Sequence, residues 1–303
     1  MPAKRETRSD RIFGMINTAL LVLIVIVEIY PLYFTVIASI SDPYAVVKGK
    51  VFLLPEGFTW DAYKYVFSES RIWRGYRNTI LYTVFGTTWN LFLTIPAAYV
   101  LSKKDLVGRG WITTFFLIPM YFGGGLIPTY LQVRSLNLID KPWTLVILGG
   151  ISIYNMVVAR VYYQSSIPGE IYESARIDGA SDFMQFFRIA MPLSAPILAV
   201  MALYYGVAHW NNYFTALIYV SNSKLQPLQI ELRNILLLNQ TAVTAIEDML
   251  DDDIDLAELA RRAYIAEAMK YSLIFISSAP MLIAYPFVQK YFVKGMMIGS
   301  LKG

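Results

Sequence analysis

The sequence predicts an all-α, polytopic membrane protein with six transmembrane helices. Three observations carry that reading. Of 303 residues, 56% are hydrophobic and 16% charged, whereas a soluble domain carries about 25% charged residues. Five long stretches hold no charge at all, at 78–102, 110–133, 142–159, 189–223 and 271–289. About 18 or more apolar residues suffice for a helix to cross the hydrocarbon core. Lysine and arginine, finally, crowd alternate connections between the apolar stretches.

The elements follow in order. A basic start at 1–11 holds Lys4, Arg5, Arg8 and Arg11 and precedes an apolar stretch at 12–40. That stretch exceeds a signal-peptide core, and no small-residue cleavage site follows it, so it reads as an uncleaved first span. A loop at 41–76 leads into one membrane domain at 77–291, with spans at 78–101, 111–131, 143–165, 192–220 and 270–290. Prolines inside or beside these spans, among them Pro31, Pro96, Pro119 and Pro196, are tolerated where neighbours satisfy the freed carbonyls. Lys103, Lys104 and Arg109 fill the loop after the second span, and Lys290, Lys294 and Lys302 follow the sixth. With the basic start, these fall on one side, which the positive-inside rule makes cytoplasmic. Both termini, including the tail 292–303, are then expected on the cytoplasmic side of the cell membrane. The loops 41–76, 132–142 and 221–268 are expected outside.

Several classes drop out. Cysteine is absent and His209 is the sole histidine, so thiol chemistry, disulfides and histidine-rich metal sites have no support. The net charge of +4 is small and unclustered, against nucleic-acid binding. No phosphate-binding loop of the Gly-x4-Gly-Lys-Ser/Thr kind exists, and no nucleophile–base set is apparent. No catalytic residue, cofactor or metal is therefore expected in this chain. The loop 221–268 carries Glu247, Asp248, Asp251, Asp252, Asp253, Asp255 and Glu258. It reads either as a solvated acidic loop or as a docking surface for an external partner. Its spacing lacks the glycine and terminal glutamate of a calcium loop.

The informative segment is 166–192, between the fourth and fifth spans. Pro168 suits a helix start, and Ile167, Ile171 and Ala175 recur every four residues. Asp178-Gly179 signals a turn, with glycine free to take positive φ. Ser181 or Asp182 can cap a second helix, on which Phe183, Phe186, Phe187 and Ala190 form an apolar stripe. Glu173-Ser174-Ala175, three residues, Gly179, nine residues, then Ile189-x-Met191-Pro192 resembles the EAA loop of binding-protein-dependent ABC importer permeases. Ser174 and Met191 depart conservatively from that pattern. The resemblance implies the MetI-like permease fold and assigns ATPase coupling to Glu173, Ser174, Ala175, Asp178, Gly179, Ala180, Ile189 and Pro192. Glu173 would make the polar contact, Gly179 the sharp turn, and Ala175 and Ala180 the close packing.

Tyr30-Pro31-Leu32, Asp178-Gly179-Ala180-Ser181, Trp210-Asn211-Asn212 and Gln289-Lys290-Tyr291-Phe292-Val293-Lys294-Gly295 resemble the carbohydrate-uptake, maltose-G-type branch. Phe122-Gly-Gly-Gly-Leu-Ile-Pro-Thr-Tyr130 and Gly299-Ser-Leu-Lys-Gly303 resemble the LplC/YtcP group of oligosaccharide permeases. The implied partners are a second permease subunit in a heterodimer, two ATPase subunits that bind ATP and magnesium, an extracytoplasmic solute-binding protein, lipid and a sugar. In such permeases the tail reaches between the ATPases; here it either does so or is disordered.

A sugar pathway needs aromatic faces and amides. Trp89, Asn90, Tyr121, Tyr130, Tyr154, Asn155, Tyr205, His209 and Asn212 are the candidates. Interfacial-belt or packing roles are the alternative for each. Intramembrane charges are functional candidates by default. Glu28 reads as a pathway or partner contact, or as a protonated or paired acid, while Arg160 lies close enough to the cytoplasmic end to snorkel. A self-contained ion-coupled transporter is the competing function. It calls for inverted repeats and midplane acids, of which only Glu28 is evident.

Overall fold

The computed structural model describes residues 7–237, 269–287 and 289. Helices account for the regular structure, and no strand occurs among the described residues. The labelled helices are α1 (Arg8–Ser39), α2 (Pro43–Val47), α3 (Asp61–Ser68), α4 (Ser70–Ser102), α5 (Arg109–Tyr121), α6 (Leu126–Ser135), α7 (Pro142–Ile147), α8 (Ile153–Ser166), α9 (Gly169–Ile177), α10 (Asp182–Gln185), α11 (Met191–Leu193), α12 (Ala195–Trp210) and α13 (Phe214–Tyr219). Helical residues continue at 228–237 and 269–287. The chain divides into two compact units, Met1–Glu69 with Asn234–Ser278, and Ser70–Arg233 with Ala279–Gly303. The acidic residues 247–258 and the tail 292–303 lie outside the described residues.

In the first unit, α1 opens with a capping box. Thr7 Oγ1 accepts from the Asp10 amide at 3.2 Å, and Asp10 Oδ2 accepts from the Thr7 amide at 3.0 Å. The helix has 32 residues, about 48 Å at 1.5 Å per residue, which exceeds the ~30 Å core. None of its most apolar 18-residue window is buried, and Glu28 is exposed there. Only the last turn, with Ile37, Ala38 and Ser39, enters a core, together with Ala45, Val46 and Val51. Tyr271 meets Phe34 edge-on, and the Ser39 and Tyr63 hydroxyls bond at 2.8 Å.

The second unit is built on α4, against which α8 and α12 pack. Its buried residues include Gly75, Asn78, Tyr82, Gly86, Asn90, Thr94 and Ala98, a row spaced mostly by four. Small and hydroxyl side chains suit helix contacts in lipid, where there is no hydrophobic drive between helices and close approach must supply the attraction. At Gly86 the approach is extreme: a Cβ there would lie 2.4 Å from His209 Cε1.

The apolar stretches are helical, but several are not single rods. Among the described residues, α1 and α4 alone are individually long and apolar enough to cross, and counting each of two bent pairs as one span gives four. The expected span 111–131 breaks into α5 and α6 at an angle of 112°. The break falls on Gly123-Gly124-Gly125, where Gly125 takes φ +83°. The expected span 143–165 breaks between α7 and α8, with Gly149 at φ +71°. The helix entering the expected span 192–220 runs from Asp182 to Leu193 and bends by 78° against α12, and the span is interrupted again after Trp210. Run length reported apolar environment correctly, while glycine pairs and Asn211-Asn212 set where the helical ladder stops.

Gly86→Ala is expected to displace the His209 ring and lower the unfolding midpoint in detergent. Overpacking of this kind costs about 1–3 kcal/mol. In a His209→Ala background the same change should cost about 0.5 kcal/mol or less. Equal penalties in both backgrounds would refute the contact.

Candidate functional site

The segment 166–192 folds as a short helix, a tight turn and a second helical piece, with Pro168 at the N-cap of α9. The turn is a Schellman motif. The Ala180 amide donates to the Ala175 carbonyl at 2.9 Å, and the Gly179 amide to Arg176 at 3.0 Å. Gly179 sits at φ +76°, the left-handed region that glycine enters without penalty. Ser181 Oγ then caps α10 by accepting from the Met184 amide at 3.4 Å. Buried Gln185 holds the turn from below, its Nε2 donating to Ala180 O at 3.1 Å.

The second helical piece corrects the expected stripe. Residues Phe186–Ala190 form a π-helix. Phe186 and Ala190 are buried, whereas Phe183 and Phe187 are 79% and 61% exposed. A π-turn carries more residues per turn than an α-turn, so the four positions no longer share one face. Ile167, which caps the end of α8, and Ala175 on α9 are buried, but Ile171 on α9 is exposed. Ile177 is 86% exposed. Ile171, Ile177, Phe183 and Phe187 thus stand out from a polar loop in which Glu173, Ser174, Asp178 and Gly179 are also exposed. Ala180 and Ile189 are half-buried, and Pro192 is exposed.

Contacts that the motif alone did not reveal anchor this segment. Arg176 Nη2 bonds Asp105 Oδ2 at 2.6 Å. The Arg176 guanidinium holds the Asp105 carboxyl below its usual range. Lys103 Nζ lies 3.3 Å from the Tyr172 ring centroid and 4.6 Å from that of Tyr99. Burial lowers the Lys103 ammonium and raises the Tyr172 hydroxyl. Tyr99 also meets Tyr163 and Phe186, at 5.6 and 4.9 Å between centroids. Lys103 was legible only as a topology-setting charge, and Arg176 only as a loop residue.

The pathway candidates separate into different settings. Asn90 Nδ2 donates to the carbonyls of Gly149 and Gly150 at 3.1 and 2.9 Å. Its Oδ1 accepts from His209 Nε2 at 2.6 Å. Tyr205 bonds the Thr94 hydroxyl at 2.7 Å and accepts from the Ser152 amide at 3.2 Å. These three side chains serve internal backbone and packing. Asn155 is buried at the start of α8. Tyr130 stacks on Tyr219 at 6.0 Å, and Asn212 is half-buried. Tyr121 and Tyr154 are exposed, as is Trp89, whose ring edge would lie 3.1 Å from a Cβ at Gly150. Arg160 does not simply snorkel: its Nη1 donates to Thr113 on α5 at 3.4 Å.

An all-helical membrane chain with an exposed, anchored helix–turn–helix loop defines the permease class. Residues 72–298 match the family of binding-protein-dependent transport system inner membrane components. The chain is 37% identical to protein LplC of Bacillus subtilis (strain 168) over 98% of its own length and 97% of LplC. It is 35% identical to the polygalacturonan/rhamnogalacturonan transport system permease protein YtcP of the same organism, over 97% and 99%. Among solved structures it is similar to a chain of a bacterial ABC transporter involved in the import of the acidic polysaccharide alginate. That match has a TM-score of 0.83 and 34% identity, and covers 96% of this chain and 100% of that one. The chain belongs to the binding-protein-dependent inner membrane component family, as an ABC importer permease. The ion-coupled alternative is thereby set aside.

Gly179→Ala meets no atom within 4 Å, so its cost is conformational, about 1–2 kcal/mol. The midpoint of thermal unfolding in detergent should fall for Gly179→Ala and fall less for Gly179→Asn. An unchanged midpoint for alanine would show that the left-handed turn is not formed.

Proposed function

We propose that this chain is one half of a sugar-conducting permease whose 166–192 loop docks on a partner ATPase. The observation that carries the docking is the exposed apolar set Ile171, Ile177, Phe183 and Phe187, ringed by Glu173, Asp178 and Asp182. Exposed apolar side chains on short helices suit a cleft in another protein. Glu173 lies on the exposed side of α9, free to meet a donor of the ATPase. In this reading ATP and magnesium bind the partner, the second permease subunit is a different chain, and a solute-binding protein delivers substrate outside. The six crossings with both termini cytoplasmic belong to the same proposal, three of them as broken helices.

The substrate class rests on the relatives. One named relative transports polygalacturonan or rhamnogalacturonan and one solved neighbour imports alginate, which are both acidic sugar polymers. We propose oligosaccharides as the cargo, with uronic-acid oligomers the class to test first. Uptake of labelled trigalacturonate exceeding that of maltotriose supports the acidic class, and the reverse preference removes it.

Docking is tested by co-purification from native membranes. Burying one phenylalanine is worth about 1.5–3 kcal/mol. Phe183→Asp should therefore weaken ATPase retention about 10- to 100-fold. Glu173→Lys should also release the ATPase while the protein still inserts. Full retention in both variants would show that this loop is not the docking surface.

A further inference from the structure

We infer that Lys103 is a positioning residue that clamps the coupling segment to the end of α4 through the ring of Tyr172. The inference rests on the docking reading of 166–192 and assigns a new role to the α4–α5 turn. Lys103 follows the last residue of α4, Ser102. Its neighbour Lys104 is exposed, so solvent is within reach of a lysine at this turn. Lys103 nevertheless turns inward: Nζ is buried and has no hydrogen-bond partner. A buried ammonium without an acceptor is unfavourable. The two aromatic faces are what offset that cost, and a desolvated cation–π contact is worth about 2 kcal/mol.

Other contacts also join α9 to this end of α4. The Arg176–Asp105 pair also links α9 to this turn, but its side chains are more than half exposed, and exposed pairs contribute about 0–1 kcal/mol. Between the two contacts lies a cavity of about 350 Å³, bordered by Tyr99, Lys103, Asp105, Arg176 and Asp182. Apolar packing also joins α9 to the end of α4: the Tyr172 and Tyr99 rings meet at 6.0 Å between centroids and share one core. The Lys103 ammonium sits on both rings of that pair and ties them to the α4–α5 turn, and displacement of α9 passes to α4 through it.

The test uses the assembled transporter, and the chain has no cysteine to interfere. Spin labels go on Val107→Cys, in the α4–α5 turn, and Glu170→Cys, in α9. Their separation is measured without nucleotide and after trapping with ATP and vanadate. The clamp predicts one narrow distance, unchanged between states. In Lys103→Met, which keeps the aliphatic stem, the distance should broaden and shift between states by about 2 Å, the scale of helix displacements. Lys103→Arg and Tyr172→Phe should restore the narrow distance, and Tyr172→Leu should not. A Lys103→Met complex that matches the parent in both states overturns the clamp, as does a parent distance that itself changes. Failure of the docking reading would show separately, as ATPase retained by Glu173→Lys with label distances unaltered.

Discussion

The constraint on which the second unit depends is that backbone polar groups removed from water must find partners inside the protein. An unbroken helix meets it automatically, which is why α4 runs for 33 residues. The stretch between α7 and α8 cannot, because Gly149 and Gly150 interrupt the ladder. Asn90 supplies what is missing. Both hydrogens of its amide are taken by the two glycine carbonyls, and its oxygen takes the His209 Nε2 proton. The roles are mutually fixed: the carbonyls can only accept, so the Asn90 oxygen must face the histidine, and His209 must carry its proton on Nε2. Gly86 leaves room for that ring against α4. One asparagine therefore joins α4, the α7–α8 break and α12.

The same reasoning shows which parts of the structure were legible. Apolar run length reports the medium, and the all-α membrane class followed from it. The glycine clusters at 123–125 and 149–150 were not read as breaks, and at 149–150 the broken backbone is held by a partner from a distant segment, Asn90. Asn90 and Tyr205 looked like pathway candidates because amide and phenol groups suit a sugar and suit an interrupted helix equally well. The difference lies in the partner, and partners are not written in local sequence.

In the loop 166–192 the spacing of Glu173, Gly179 and Pro192 was informative because turn chemistry is local. Gly179 had to reach positive φ, and the Schellman bonds follow from that single residue. The Phe183–Ala190 stripe was less transferable. It assumed 3.6 residues per turn, and the π-segment at Phe186–Ala190 altered the phase. Phe186 turned in toward Tyr99, while Phe183 and Phe187 were left outside. An amphipathic pattern predicts a buried face only if the helix type is known.

One unbroken helix links the two sites. α4 continues past Pro96 unbroken, although the proline removes one ladder bond. From Lys103 to Asn90 is about 20 Å of helix at 1.5 Å per residue. The spans beside it are jointed, with α5 and α6 bent by 112° and α7 separated from α8 at Gly149. α4 is therefore one unbroken helix among interrupted neighbours. Asn90 lies where it meets the α7–α8 break. The polar groups near its two ends consequently do different work: Lys103 joins α4 to the Tyr172 ring of α9, and Asn90 joins it to the α7–α8 break and to His209 of α12.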